Sequence, residues 1–138
     1  YDENGNIIIK ERTEYIENLR RSDICLAAKG SGNFSVRFFE ILSMGRIPLF
    51  IDTAMPLPLE PFIEYDTFMI RVPHTHLNEL ENRILDFWSA LTPDSYREKQ
   101  QRARETYETF LRYDSFFPFA IDNLESLVPN VFQRLARQ

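Results

Sequence analysis

An arginine and a glutamate three residues apart, Arg37 and Glu40, stand on an otherwise apolar run that follows a glycine-rich segment. The stretch is KGSGNFSVRFFEILSMGRIPLFID, Lys29 to Asp52. Gly30 and Gly32 permit close approach of backbone to a ligand, and N–H groups at a helix N-terminus attract anions. Lys29 offers a phosphate a point charge, and Arg37 a bidentate one. Glu40 suits a different partner, because a carboxylate beside a nucleotide accepts hydrogen bonds from ribose hydroxyls. At i and i+3 on a helix the two also share a face and can simply pair with each other. Spacing leaves both readings open. The glycines fit neither the P-loop nor the dinucleotide pattern, so these residues by themselves indicate an anion or nucleotide site of unspecified kind.

The elements that must position them follow from the flanking pattern. Ile7-Ile8-Ile9 is a short β-branched run after the Asn4-Gly5 turn signal, and residues 11–21 have helical spacing through Tyr15, Ile16 and Leu19. The run Asp23 to Ala28 is apolar and predicts a strand buried on both faces. After the loop Lys29–Asn33, a helix is expected over Ser35 to Met44, capped by Asn33 or Ser35 and stopped at Gly45. Ile47 to Ile51 is the next buried strand, entered through Pro48. Strand, helix and strand over this length form a βαβ unit with parallel strands, and its first loop lies where open α/β sheets hold ligands. Beyond the Pro-rich Met55–Pro61, a short strand is expected over Phe68–Val72 and an amphipathic helix over Leu77–Leu91, with Phe87 or Trp88 on its apolar face. A charged helix begins at Thr92-Pro93 and runs to Arg112, and residues 114–137 continue as helix broken near Pro118 and Pro129. The prediction is an α/β, three-layer Rossmann-like domain with a parallel sheet and a helical C-terminal extension. Residues 1–138 read as a single domain, with a core over about 1–91 and C-terminal helices over about 92–138.

Composition narrows the function classes. The 138 residues carry a net charge of −5, which argues against a broad basic surface for nucleic acid. The single Cys25 cannot form an internal disulfide and sits in an apolar run, as a buried thiol does. No apolar run approaches the length of a membrane span, so no membrane contact is expected. His74 and His76 lack a clear third ligand and read as solvated, so no metal is expected. The mixed charges of Arg97–Arg112 read as a solvated helix face. Phe116, Phe117 and Phe119 read as core, or as an interface with a further domain.

A resemblance adds to this reading. The run Leu19-Arg20-Arg21-Ser22-Asp23-Ile24-Cys25-Leu26-Ala27-Ala28-Lys29-Gly30, followed by Ser35-Val36-Arg37-Phe38-Phe39-Glu40 and Gly45-Arg46-Ile47-Pro48-Leu49, resembles the conserved block of exostosin-like glycosyltransferases, family 47. Their pattern is "LxxSxFCLxPxG" followed by "SxRxxEAxxxGCIPV". Leu57-Pro58-Leu59 to Phe62, and Tyr65–Phe68 with Val72-Pro73, resemble two further family segments, so the likeness covers roughly residues 15–125. It implies the C-terminal, nucleotide-sugar-binding half of a two-domain GT-B enzyme, with the present chain a fragment lacking the N-terminal domain. Its substrates would be a nucleotide sugar, with uridine diphosphate as the expected carrier, and a saccharide acceptor. On that analogy Glu40 holds the ribose hydroxyls and Arg37 the diphosphate. Lys29, Gly30, Gly32 and Asn33 line the phosphate loop, and Ser35 caps the helix or touches phosphate. No cofactor or metal is implied, and the catalytic base is expected outside this chain. A soluble domain is implied, cytoplasmic for a bacterial or viral source and in the Golgi lumen for a eukaryotic one. The chain departs from the family at Ala28 and Lys29, where a Pro and a basic residue precede the loop Gly, and at Arg46, where the family has Cys. The substitutions at Ala28 and Arg46 favour an alternative of another class, a non-catalytic interaction or scaffold module that keeps the fold.

Overall fold

The computed structural model describes residues 9–128. In chain order the elements are α1 (Ile9–Arg21), β1 (Ile24–Ala27), α2 (Val36–Ser43), β2 (Ile47–Asp52), β3 (Ile70–Pro73), α3 (Leu80–Ser89), α4 (Pro93–Thr106), α5 (Tyr113–Asp122) and α6 (Leu124–Leu127). The three strands form one parallel sheet in the order β1-β2-β3. Ile24 lies opposite Ile47, and Leu49 opposite Ile70. All three strands therefore end at one edge, where Lys29–Asn33, Asp52–Ala54 and His74 come together.

Strand alternation sorts side chains onto two faces. Cys25, Ala27 and Phe50 join Phe38, Ile41 and Leu42 of α2, Ala103 of α4 and the crossover residues Met55, Leu57, Leu59, Ile63 and Tyr65 in the main core. Leu49, Ile70 and Val72 meet Leu80, Ile84 and Phe87 of α3 on the other face. Helices and crossover, sheet, and α3 are the three layers of the Rossmann-like reading. Phe87 is the residue α3 turns toward the sheet, whereas Trp88 is 48% exposed.

β1 corrects one expectation. Its main-core side is buried, but Leu26 on the α3 side is 50% exposed. Helix α3 packs on β3, and β1 is an edge strand that α3 does not cover. Apolar content alone does not distinguish a strand covered on both faces from one at the margin.

The β2–β3 crossover contains no α-helix, only a 3₁₀ turn at Tyr65–Thr67. An aromatic centre holds it instead. The Phe38 ring lies 5.5 Å from that of Phe50 and 5.7 Å from that of Tyr65. The Tyr65 hydroxyl donates to the Pro58 carbonyl at 2.7 Å, which satisfies a buried polar group and pins the Pro-rich segment to the core.

Other boundaries shift. β3 starts at Ile70, because Phe68 and Met69 turn into the main core. The first turn before α3, His74–Glu79, is 3₁₀. The helix after Pro93 ends in a π turn, Tyr107–Leu111, closed by the Arg112 N–H on the Tyr107 carbonyl at 2.7 Å. Pro118 does not break α5. The carbonyl it leaves without a helical donor belongs to Asp114, an exposed residue that water can reach. Ile9 opens α1 and is not in a strand. Ile7, Ile8 and Pro129 lie outside the described residues.

Candidate functional site

The βαβ turn places the glycine loop and the start of α2 over the C-terminal edge of the sheet. The loop closes on itself through the Gly30 N–H to the Phe34 carbonyl, 2.9 Å. Asn33 ties it to the end of β2: Thr53 Oγ1 donates to Asn33 Oδ1 at 3.0 Å, and Asn33 Nδ2 reaches the Ala54 carbonyl at 3.5 Å. Ala54 sits at φ 57°, held by its N–H on Asp52 Oδ1 at 2.8 Å. A non-glycine residue in that region costs about 1–2 kcal/mol, so the junction of the two loops carries backbone strain.

Lys29, Gly30, Gly32 and Asn33 are exposed along this edge. Ser35 is 4% exposed and occupies the N-cap position of α2, but its hydroxyl makes no capping hydrogen bond. An apolar cleft of about 270 Å³ opens beside it, lined by Phe34, Ser35, Phe38, Phe39 and Met55–Pro58.

Arg37 and Glu40 are half-buried on α2, and no ion pair joins them among the described residues. Helix α1 separates their roles. The Tyr15 hydroxyl donates to Glu40 Oε2, while the Arg37 guanidinium lies over the Tyr15 ring, 4.9 Å from its centroid. Arg37 Nη2 donates to Asn18 Oδ1 at 3.4 Å, and Arg37 Nε is buried without a hydrogen-bond partner. Burial, followed by the Glu40 carboxylate, pushes the Tyr15 phenol up to about 12. Tyr15 is therefore a neutral donor at physiological pH.

Tyr15 and Asn18 were not identifiable as site residues from sequence. Tyr15 counted as part of an apolar stripe, and only the packing of α1 brings it opposite Glu40. Their i, i+3 spacing mirrors that of Arg37 and Glu40 and is the one trace in the sequence.

A third cluster stands at the same edge. Arg71 bonds Asp66 at 2.9 Å, Glu60 at 3.0 Å and Asp52 at 3.3 Å. It joins the ends of β2 and β3 to the crossover that walls the cleft. His74 Nδ1 lies 3.1 Å from the Asp52 carbonyl oxygen, and His76 Nδ1 lies 2.9 Å from Thr75 Oγ1. Among the described residues, no three His, Cys, Asp or Glu gather into a group suited to a metal ion. No described helix is long and apolar enough to cross a membrane.

Comparison with known proteins places this sequence in a family. The exostosin GT47 domain profile matches residues 2–86, which include the glycine loop, α2 and all three strands. The chain belongs to the exostosin GT47 glycosyltransferase family. It is also similar to a Caenorhabditis elegans protein named Exostosin-1 homolog, 28% identical over 102 residues and 74% of this chain. The chain spans 26% of that protein's length. Lys29 of the glycine loop, and Arg46 where the motif has Cys, have visible settings. Lys29 is exposed at the loop, and Arg46 is half-buried at the opposite end of β2, its Nε buried and unpartnered.

Proposed function

We propose that this chain is the donor-binding part of a glycosyltransferase that moves a sugar from a uridine diphosphate sugar to a saccharide acceptor. In this reading it is the C-terminal half of a two-domain GT-B enzyme. The observation that carries the proposal is the separation of Arg37 from Glu40. A cation and a carboxylate on one helix face, each held by α1 and not by the other, support separate ligand contacts. Arg37 takes the diphosphate and Glu40 the ribose hydroxyls. Lys29 and the backbone of Gly30, Gly32 and Asn33 face the phosphates, and Ser35 stands at the helix N-terminus. The positive charge and the α2 dipole offset charge growing on the leaving diphosphate. No residue here is assigned as catalytic base, so the isolated chain binds donor nucleotide without turning it over.

Titration calorimetry tests this. Uridine diphosphate is expected to bind at millimolar concentration or below, and Arg37→Ala and Glu40→Ala each to weaken it about tenfold, as loss of a charged hydrogen-bond partner does. The alternative is a scaffold module that keeps the fold without the ligand. It is favoured by one observation: Glu40 and Arg37 already have partners inside the chain. Absence of binding in the unaltered chain decides for the scaffold.

A further inference from the structure

We infer that Tyr15 is a positioning residue that orients the Glu40 carboxylate for ribose, an inference that rests on the donor-binding reading above. The Tyr15 hydroxyl occupies one carboxylate oxygen, Oε2. The other, Oε1, has no hydrogen-bond partner among the described residues. A carboxylate fixed by a single neutral donor keeps its charge and points its remaining oxygen in one direction. That is the requirement for accepting from a sugar hydroxyl without rotamer loss at the moment of binding.

The same side chain does a second job through a different surface. Its ring supports the Arg37 guanidinium from below, and Asn18, one turn further along α1, holds Nη2. Arg37 thus reaches its place through a ring face and a neutral amide, neither of which cancels its charge. Hydroxyl and ring are separable by mutation. Tyr15→Phe removes the bond to Glu40 and keeps the ring beneath Arg37.

That separability defines the experiment. Calorimetry on the 138-residue chain compares uridine diphosphate with 2′,3′-dideoxyuridine diphosphate, which keeps the diphosphate and lacks the hydroxyls. Tyr15→Phe is expected to weaken uridine diphosphate about fivefold, the range of one hydrogen bond, and to change the dideoxy compound less than twofold. Glu40→Gln is the second variant, and adding Tyr15→Phe to it is expected to cause no further loss, because the two act as one unit. Equal weakening of both ligands by Tyr15→Phe would mean a purely structural tyrosine and would overturn the inference, as would unchanged affinity for both. If the unaltered chain binds both ligands equally, the assignment of Glu40 to ribose fails and the role of Tyr15 falls with it. If Glu40→Gln selects against the hydroxyls and Tyr15→Phe does not, the donor reading stands and only the positioning role is lost.

Discussion

At the scale of single residues, the turn between α2 and β2 is set by Gly45. It adopts φ 60°, and a Cβ there would stand 3.3 Å from the Gln100 carbonyl oxygen and 3.4 Å from Arg104 Cβ. The positive φ disfavours a side chain, and the neighbouring α4 leaves a Cβ only a tight fit. Gly45→Ala is expected to cost about 1–2 kcal/mol from the left-handed conformation, read as a lowered urea midpoint at unchanged slope. The sequence already marked Gly45 as a helix stop. The close approach of α4, some 55 residues later in the chain, was not visible there. Ser35 is the reverse case: the sequence offered it as a helix cap, and its hydroxyl makes no capping bond.

At the scale of elements, the β2–β3 crossover is the unusual part. It connects parallel strands without an α-helix and includes a buried Leu59 at φ 53°. Tyr65 and Arg71 hold it from two sides, the first through the Pro58 carbonyl and the second through Asp52, Glu60 and Asp66. Glu60 and Asp66 are substantially exposed, so each of those pairs contributes at most about 1 kcal/mol. Their joint effect is local order. Arg71→Ala is expected to speed amide hydrogen exchange over residues 55–66 well above any change in α2 or α4, and hydrogen-exchange mass spectrometry measures this directly. Uniform acceleration across the chain would show that Arg71 supports the whole fold and not the cleft wall.

At the scale of the whole molecule, three tyrosines join distant parts of the chain. Tyr15 links α1 to α2, Tyr65 links the crossover to the core, and the Tyr96 hydroxyl of α4 donates to Asp23 before β1 at 2.5 Å. Burial is the largest cause raising each phenol, and a carboxylate (Glu40, Glu60 or Asp23) adds to it. Tyr15 and Tyr96 are pushed up to about 12, and Tyr65 is raised further. A phenol with a raised folded-state value contributes stability that is complete below its unfolded value, near 10. Above that point the unfolded chain releases its proton first, so stability falls as pH rises toward 12. Urea midpoints are expected to decline between about pH 10 and 12, with a shallower decline in a Tyr15→Phe, Tyr96→Phe double variant. An identical slope in that variant would assign the alkaline loss to other groups.

Periodicity and punctuation determined the local elements of this protein: α1 through α4, the three strands in near-correct position, the glycine stop and the α/β class. The family motif likewise lay within one continuous stretch and was legible there. Tertiary structure decided what depends on neighbours far along the chain. It made β1 an edge strand with Leu26 in solvent, although its apolar run matches that of a central strand. It let α5 pass through Pro118, where the residue four positions earlier, Asp114, is exposed. It also drew Arg37 and Glu40 apart. On one helix face their spacing permits a pair, and only the packing of Tyr15 and Asn18 from α1 gives each charge its own partner.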